Sequence, residues 1–311
     1  MNDSEHNCRL DCLGMGIIPL DFLYTVKRLP KAGEKIDALK CCVQGGGPVP
    51  NTMVGLSRLG MKTAVIGVVG DDPTGRVSID ELAKENVDHR FLIVKKQRSA
   101  TAFGMIEADT GRRTIALYRD INITPRDLRI SDYPLPRVLH LDGRDLQAAI
   151  RLAKWARRMR IPVSFDIGSV RNDVSAILPL VDHLVVADAF AYPFTGARTA
   201  AGAIQSLTAY CPGSIVITEG LKGATGRDNK TPDEFVCQAA FKVTCVDATG
   251  AGDSFHAGYL YGLLKGYDMA QRLRFGAATA ALKCTRPGAR TGAPGLRQVQ
   301  AFLKNGPDTY A

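Results

Sequence analysis

Val243-Thr-Cys-Val-Asp247-Ala-Thr-Gly250-Ala251-Gly252-Asp253-Ser-Phe-His-Ala-Gly-Tyr-Leu-Tyr-Gly-Leu-Leu264 decides the fold. It reads as a short apolar strand ending near Val246, a turn from Asp247 to Gly252, and a helix beginning near Asp253. Phe255, Tyr259, Leu260, Leu263 and Leu264 recur at helical spacing and predict one apolar face. Glycines at 250 and 252 permit a tight turn and let a ligand approach bare backbone. The first turn of a helix has N–H groups without internal partners and carries the positive end of the dipole, so strand, turn and helix start form an anion cradle. A cradle that only holds phosphate gains nothing from a carboxylate at its mouth. One that stabilises a phosphoryl group in transfer does, because the attacking hydroxyl must lose its proton. Asp253 is the expected base, its alternative being an ordinary helix N-cap. Gly250, Ala251 and Gly252, with the N–H of Asp253, are the expected donors to the transferred group.

Outward from this stretch, the chain alternates strand and helix. Val138–Asp142, Ile161–Asp166, Val181–Val186 and Ser214–Thr218 read as strands, with a helix over Asp145–Met159, and Leu10–Ile18 and Ala64–Val69 read as two more strands. Such alternation predicts an α/β fold with a mainly parallel sheet covered on both faces. Ligands of such sheets lie beyond the carboxyl ends of the strands, which gathers Asp142, Arg144, Asp166, Thr218 and Asp253 into one crevice. Arg144 either clamps an anionic substrate group or pairs with Asp142 or Asp166. Ser99–Tyr118 alternates about a turn at Asp109-Thr-Gly111 and reads as a hairpin. With Asp21–Val43 it makes a small sheet standing off the main body.

The Asp247–Asp253 string resembles the C-terminal signature of the PfkB, or ribokinase-like, carbohydrate kinases. Gln44-Gly-Gly-Gly-Pro-Val-Pro-Asn51 resembles the N-terminal one, with Gly46, Gly47 and Asn51 at its matching positions. The resemblance runs from the first strand to Pro294. It implies a ribokinase-like three-layer sandwich forming one kinase domain over residues 1–311, with a β-sheet lid from about 19–44 and 98–122. It also implies ATP and Mg²⁺, a sugar whose primary hydroxyl accepts the γ-phosphoryl group, and a homodimer through the lid. Asp21 would hold sugar hydroxyls with Gly46, Gly47 and Asn51, although Pro19 replaces the family's usual Asn. Thr218, Gly220 and Gly223, in Thr218-Glu-Gly-Leu-Lys-Gly223, would line the nucleotide with Gly252 and Ala277. A monovalent cation, K⁺, would sit among Asp247, Thr249, Lys283, Arg286, Gly288 and Gly292. The family's Asn-x-x-Glu, which helps hold the magnesium-water shell, is Ala187-Asp188-Ala189-Phe190 here, leaving Asp188 as the candidate replacement.

The Gly45-Gly-Gly-Pro48 and Lys283–Arg290 segments look most like ketohexokinase-like and sulfofructose-kinase-like members, which implies a ketose or an acidic sugar. A non-catalytic sugar or nucleotide sensor on the same scaffold, and a nucleoside kinase, are the competing readings. The altered Asn-x-x-Glu is the sensor's sole support, and no aromatic stack for a base is evident.

The formal net charge is +9, from 40 Lys and Arg against 31 Asp and Glu. The positive residues are scattered, and the densest run, Arg151–Arg160, has helical periodicity; a nucleic-acid partner is not expected. An anionic substrate is the simpler reason to be basic. Eight cysteines form no C-x-x-C pair, Asn7–Leu13 is too polar for a signal peptide, and no apolar run approaches bilayer length. Reduced thiols in the cytoplasm are the expectation, with no membrane association.

Overall fold

The structure, a computed structural model, describes residues 10–170 and 173–306; Cys8 and residues 7–9 of the Asn7–Leu13 stretch lie outside them. In chain order the elements are β1 (Cys12–Met15), β2 (Leu20–Val26), β3 (Lys40–Gly45), α1 (Pro48–Arg58), β4 (Thr63–Gly70), α2 (Pro73–Lys84), β5 (Leu92–Lys95), β6 (Thr101–Glu107) and β7 (Arg113–Tyr118). There follow β8 (Val138–Leu141), α3 (Leu146–Arg158), β9 (Val163–Ile167), β10 (His183–Ala187), α4 (Asp188–Thr195), α5 (Ala200–Leu207) and β11 (Ser214–Thr218). The chain closes with β12 (Ala224–Arg227), β13 (Val236–Gln238), α6 (Ala251–Leu264), α7 (Met269–Cys284) and α8 (Leu296–Asn305).

Among the described residues, the main sheet has nine strands in the order β13-β12-β11-β10-β9-β8-β1-β4-β5. It is parallel from β11 through β5, and β12 and β13 add an antiparallel edge. Its strands are apolar on both faces because helices cover both. The period-two alternation divides them between two cores. Leu13, Ile66, Leu184, Val186 and Ile217 join the core beneath α3, α4 and α5. Cys12, Val65, Val185 and Val216 join the core beneath α1, α6 and α7. This is the ribokinase-like α/β fold that the strand–helix alternation and the signatures imply.

The second sheet has four strands in the order β3-β2-β6-β7, with β2 and β6 parallel and the outer pairs antiparallel. Cross-strand partners share a face. One face carries Asp21, Ala102, Ile115 and Leu117, all lining the cleft below. The opposite face carries Val43, Phe103 and Tyr118, each at least 43% exposed.

The structure corrects the opening stretch in three ways. Val243–Val246 is not a strand: the N–H groups of Val246 and Asp247 donate to the Cys284 carbonyl at the end of α7 (2.8 and 3.2 Å), and Val246 faces solvent. That helix terminus has unpaired carbonyls to offer, and they outcompete a sheet edge. Helix α6 starts at Ala251 rather than Asp253, capped by Gly250 at φ +74°, a left-handed conformation suited to glycine. And α6 buries almost every residue from Ser254 to Leu264 instead of one face, because it is wedged between α1 and α7.

Candidate active site

A cleft of about 1000 Å³ opens beyond the carboxyl ends of β1, β8, β9, β10 and β11, under the four-stranded sheet. Asp142, Arg144, Asp166, Thr218 and Asp253 all line it, as do Asp21, Gly47, Asn51, Asp188, Thr249, Gly250, Ala251, Gly252 and Gly220. Gly46, Gly223, Ala277, Asp247 and Gly288 are not on its lining.

Asp253 is the third residue of α6, half-buried at the cleft floor. Its Oδ2 accepts a hydrogen bond from Asn51 Nδ2 at 2.7 Å, and its backbone carbonyl accepts one from Thr52 Oγ1 at 3.2 Å. The side-chain geometry is therefore not that of an N-cap, which would turn its carboxylate onto its own helix. Desolvation, then the charge of Asp166, raises the carboxyl to about 6, with the Asn51 hydrogen bond opposing. Gly252 and Asp253 carry N–H groups for which the first turn supplies no acceptor. The Ala251 N–H, expected among the anion donors, instead donates to the Ala248 carbonyl at 3.2 Å within the turn.

Asn51 is fixed from its other side. Arg290 Nε donates to Asn51 Oδ1 at 3.0 Å, and Arg290 Nη2 donates to the Gly46 carbonyl at 2.9 Å. The guanidinium dictates which end of the amide faces Asp253, so Arg290, Asn51 and Asp253 form one chain of contacts. Arg290 is 2% exposed; burial pulls it down to about 10, and the Asp21 carboxylate opposes that. Asp21 itself lies in β2 rather than a surface turn, 9% exposed. Burial raises it to about 7, the Asp253 charge adding to the rise and Arg290 countering it.

Two of the glycines are also required by the packing of buried charges. A Cβ on Gly45 would stand 1.9 Å from Arg290 Nη1, and one on Gly46 would stand 2.1 Å from the Asp21 carboxylate. The missing side chains make room for two buried charges of opposite sign.

Four features escaped the sequence reading. Arg290 is the first. The second is a pair on the cleft wall: His256 Nε2 lies 3.2 Å from Asp166 Oδ1, with His140 beside them. Contact with His256 holds Asp166 below the usual carboxylate range despite its burial, so it is a standing negative charge near Asp253. Buried His140 is pushed down to about 3 and is neutral. His256 is three residues after Asp253 and so shares its helix face, which was the available signal. The third is Arg113 of β7, on the cleft lining. Strand periodicity places it with Ile115 and Leu117, and could have revealed it. The fourth is Glu219, directly after β11, whose Oε1 accepts from Tyr192 Oη at 2.5 Å.

Asp142 proves structural: its Oδ2 accepts from Ile17 N (3.0 Å) and its Oδ1 from Arg144 N (2.9 Å), joining β1 to the loop after β8. Thr218 ends β11, its hydroxyl donating to the Val186 carbonyl at 3.4 Å. Gly223 packs against β13, where a Cβ would stand 2.0 Å from the Gln238 carbonyl, and Ala277 is buried in α7. Asp188 opens α4 on the cleft lining, its Oδ1 accepting from Ala189 N at 2.8 Å.

Behind the turn, Asp247 ties two loops together. Its Oδ1 accepts from Thr249 N and its Oδ2 from Gly288 N, both at 2.7 Å. The fully buried ammonium of Lys283 donates to the Asp247 carbonyl and, at 3.4 Å, to the Arg286 carbonyl; it lies 4.0 Å from Asp247 Oδ2. Two of the carbonyls expected to cage a free cation, those of Asp247 and Arg286, thus already accept from a cation belonging to the chain, and a free ion does not fit beside it.

A carboxylate and a helix N-terminus share one cleft at the ends of the parallel strands of an α/β scaffold, beneath the four-stranded sheet. Residues 10–295 match the pfkB family carbohydrate kinases, and the chain belongs to that family. It is an ATP-dependent sugar kinase. It is 28% identical to the 5-dehydro-2-deoxygluconokinase of Geobacillus thermodenitrificans, over 84% of each chain. It is also 28% identical to the ATP-dependent ribose-1-phosphate kinase of Halopiger xanaduensis, covering 94% of this chain and 97% of that one. The solved Arabidopsis thaliana ribokinase, complexed with ribose and ATP, superposes with a TM-score of 0.81 at 23% identity, over 95% of this chain and 99% of that one.

Proposed function

We propose that this kinase transfers the γ-phosphoryl group of ATP to the primary hydroxyl of a small acidic sugar. The acceptor hydroxyl lies against Asp253, which takes its proton as the oxygen attacks phosphorus. The bond from γ-phosphorus to the bridging oxygen breaks, and ADP leaves. The N–H groups of Gly252 and Asp253, at the positive end of α6, meet the charge developing on the transferred group. Asp21 and Asn51 orient the sugar hydroxyls. Thr218 and Gly220 border the nucleotide, and Asp188 would hold the water shell of the Mg²⁺ that arrives with ATP. Segments 19–44 and 98–122 act as the lid of a single kinase domain, excluding the water that would otherwise accept the phosphoryl group. The exposed Val43, Phe103 and Tyr118 face supports a homodimer through that lid. Free thiols at the seven described cysteines suit a cytoplasmic enzyme.

The acidic acceptor rests on Arg113 and Arg144 at the cleft, on the +9 charge, and on relatives named as 5-dehydro-2-deoxygluconokinases. The observation that carries the catalytic reading is the 2.7 Å Asn51–Asp253 hydrogen bond, which aims a half-buried carboxylate into the cleft. ADP release measured over a panel of neutral ketoses, pentoses and keto-deoxy sugar acids tests both parts. The highest kcat/KM is expected with a keto-deoxy acid, and Arg113→Ala and Arg144→Ala should raise KM for the acid far more than for a neutral ketose. Equal effects on both classes would remove the clamp while leaving the kinase.

A further inference from the structure

We propose that Lys283 is a built-in replacement for a monovalent cation, so that this chain, read as a kinase, works without K⁺. The carbonyls of Asp247 and Arg286 and the carboxylate of Asp247 converge on its ammonium. Gly292 marks the same point from the far side. A Cβ there would stand 2.7 Å from the Gly288 carbonyl oxygen, 3.1 Å from that of Arg286 and 3.1 Å from Lys283 Cε. Buried carbonyls beside a buried carboxylate favour a positive charge among them, because the carboxylate left uncompensated would be costly. Lys283 supplies that charge from the last turn of α7, where the helix dipole also favours it. An ammonium is close to K⁺ in size and charge, and three N–H bonds can replace three ion–oxygen contacts.

The position matters for catalysis. Asp247 N donates to the Cys284 carbonyl, and the Asp247 carboxylate receives Thr249 N and Gly288 N. Thr249 leads directly into Gly250, Ala251 and Gly252. Lys283 therefore positions the turn that aims the N–H groups of α6, and touches no reacting atom itself. Its stem is fully enclosed, so its ammonium cannot exchange with the solvent as a free ion would.

The test compares the wild type with Lys283→Ala, which opens an ion-sized space, and Lys283→Met, which keeps the stem and removes the charge. Turnover and thermal midpoint are measured in potassium chloride and in tetramethylammonium chloride at equal ionic strength. The wild type should agree between the salts within about twofold in rate, with no potassium-specific gain in Tm. Lys283→Ala should lose at least about tenfold in kcat without K⁺, the scale of a lost charged hydrogen bond, and recover most of it with K⁺. It should also be stabilised by K⁺, whereas Lys283→Met should lose activity in both salts. Recovery with K⁺ is the readout that a merely structural lysine would not give.

Wild-type turnover that rises severalfold with K⁺ overturns the inference and leaves the kinase intact. Failure of Lys283→Ala to respond to K⁺ in both rate and Tm also overturns it. Were Lys283→Ala not to fold in either salt, the wild type's own response to K⁺ decides. Absence of wild-type turnover with every acceptor, in either salt, would count against the proposed reaction. Stabilisation of Lys283→Ala alone by K⁺ would then still uphold the built-in cation.

Discussion

The two ends of the cleft are built on different principles. At the end proposed for the acceptor, Asn51, Asp253 and Arg290 come from parts of the chain more than 200 residues apart and lock one another through side chains, with the Asp21 charge beside Arg290. At the end proposed for the nucleotide, Thr218 and Gly220 bring the end of β11 and a stretch of bare backbone to the lining, with Gly252 across the cleft. The first arrangement is precise and fragile, since each member orients the next. The second is tolerant, since few side chains carry it. This difference predicts where substitutions will be costly.

The sharpest test removes the base alone. Asp253→Asn keeps the shape and can still meet Asn51, so ATP and acceptor binding should persist in calorimetry. Turnover should fall by about 10²–10⁴, the usual contribution of a positioned general base. Near-normal turnover would show that the acceptor end works by orientation only and that the hydroxyl's proton leaves by another route.

The next largest effect should be on stability. Arg290→Met strips the partner from Asn51 Oδ1, the Gly46 carbonyl and the nearby Asp21 in a single change. Leaving such groups buried should cost about 3 kcal/mol or more in urea unfolding. Arg290→Lys should recover little of it, because an ammonium cannot fork to both acceptors. A loss below about 1 kcal/mol, the size of one ordinary hydrogen bond, would mean that the network is not mutually dependent.

The two ends also differed in how far the sequence revealed them. Strand alternation and the Asp247–Asp253 string sufficed to place Asp142, Asp166, Thr218 and Asp253 at strand ends or a helix mouth, because those positions follow from local periodicity. Arg290 was out of reach: within an Arg-Pro-Gly-x-Arg loop it looks like a turn residue, and its partner at Asn51 is 239 positions away. Lys283 was grouped with the right residues, but the direction of its side chain from the last turn of α7 depends on the close packing of Gly292, which no pattern encodes. The false strand at Val243–Val246 shows the reverse error. A short apolar segment read as a strand, yet a helix terminus offered its backbone better partners.

At the nucleotide end, a comparable change should do little. Gly220 sits at φ +56°, and a Cβ there would meet nothing within 4 Å. Gly220→Ala therefore adds left-handed strain of about 1–2 kcal/mol without a clash. The expected result is a severalfold rise in KM for ATP, with KM for the acceptor and kcat nearly unchanged. A collapse of kcat would contradict the tolerance attributed to this end.

The smallest effect is the most diagnostic of how the acceptor end is wired. Asp253 stands at about 6, so activity should rise with pH through that value, as the base loses its proton, and level off above it. Two neighbours move it in opposite directions. Asp166 is a like charge that disfavours ionisation, so Asp166→Asn should shift the acidic limb of kcat to lower pH. The Asn51 hydrogen bond favours the ionised form, so Asn51→Ala should shift the limb to higher pH. Each displacement should be about one unit or less, visible below neutrality and absent from the plateau position. Opposite shifts would establish that the titrating group is Asp253 itself, since among the described residues it is the carboxylate that accepts from Asn51 while facing Asp166. Shifts of the same sign would instead point to Asp21, whose burial raises it to about 7 within the same cluster, as the group that sets the acid limb.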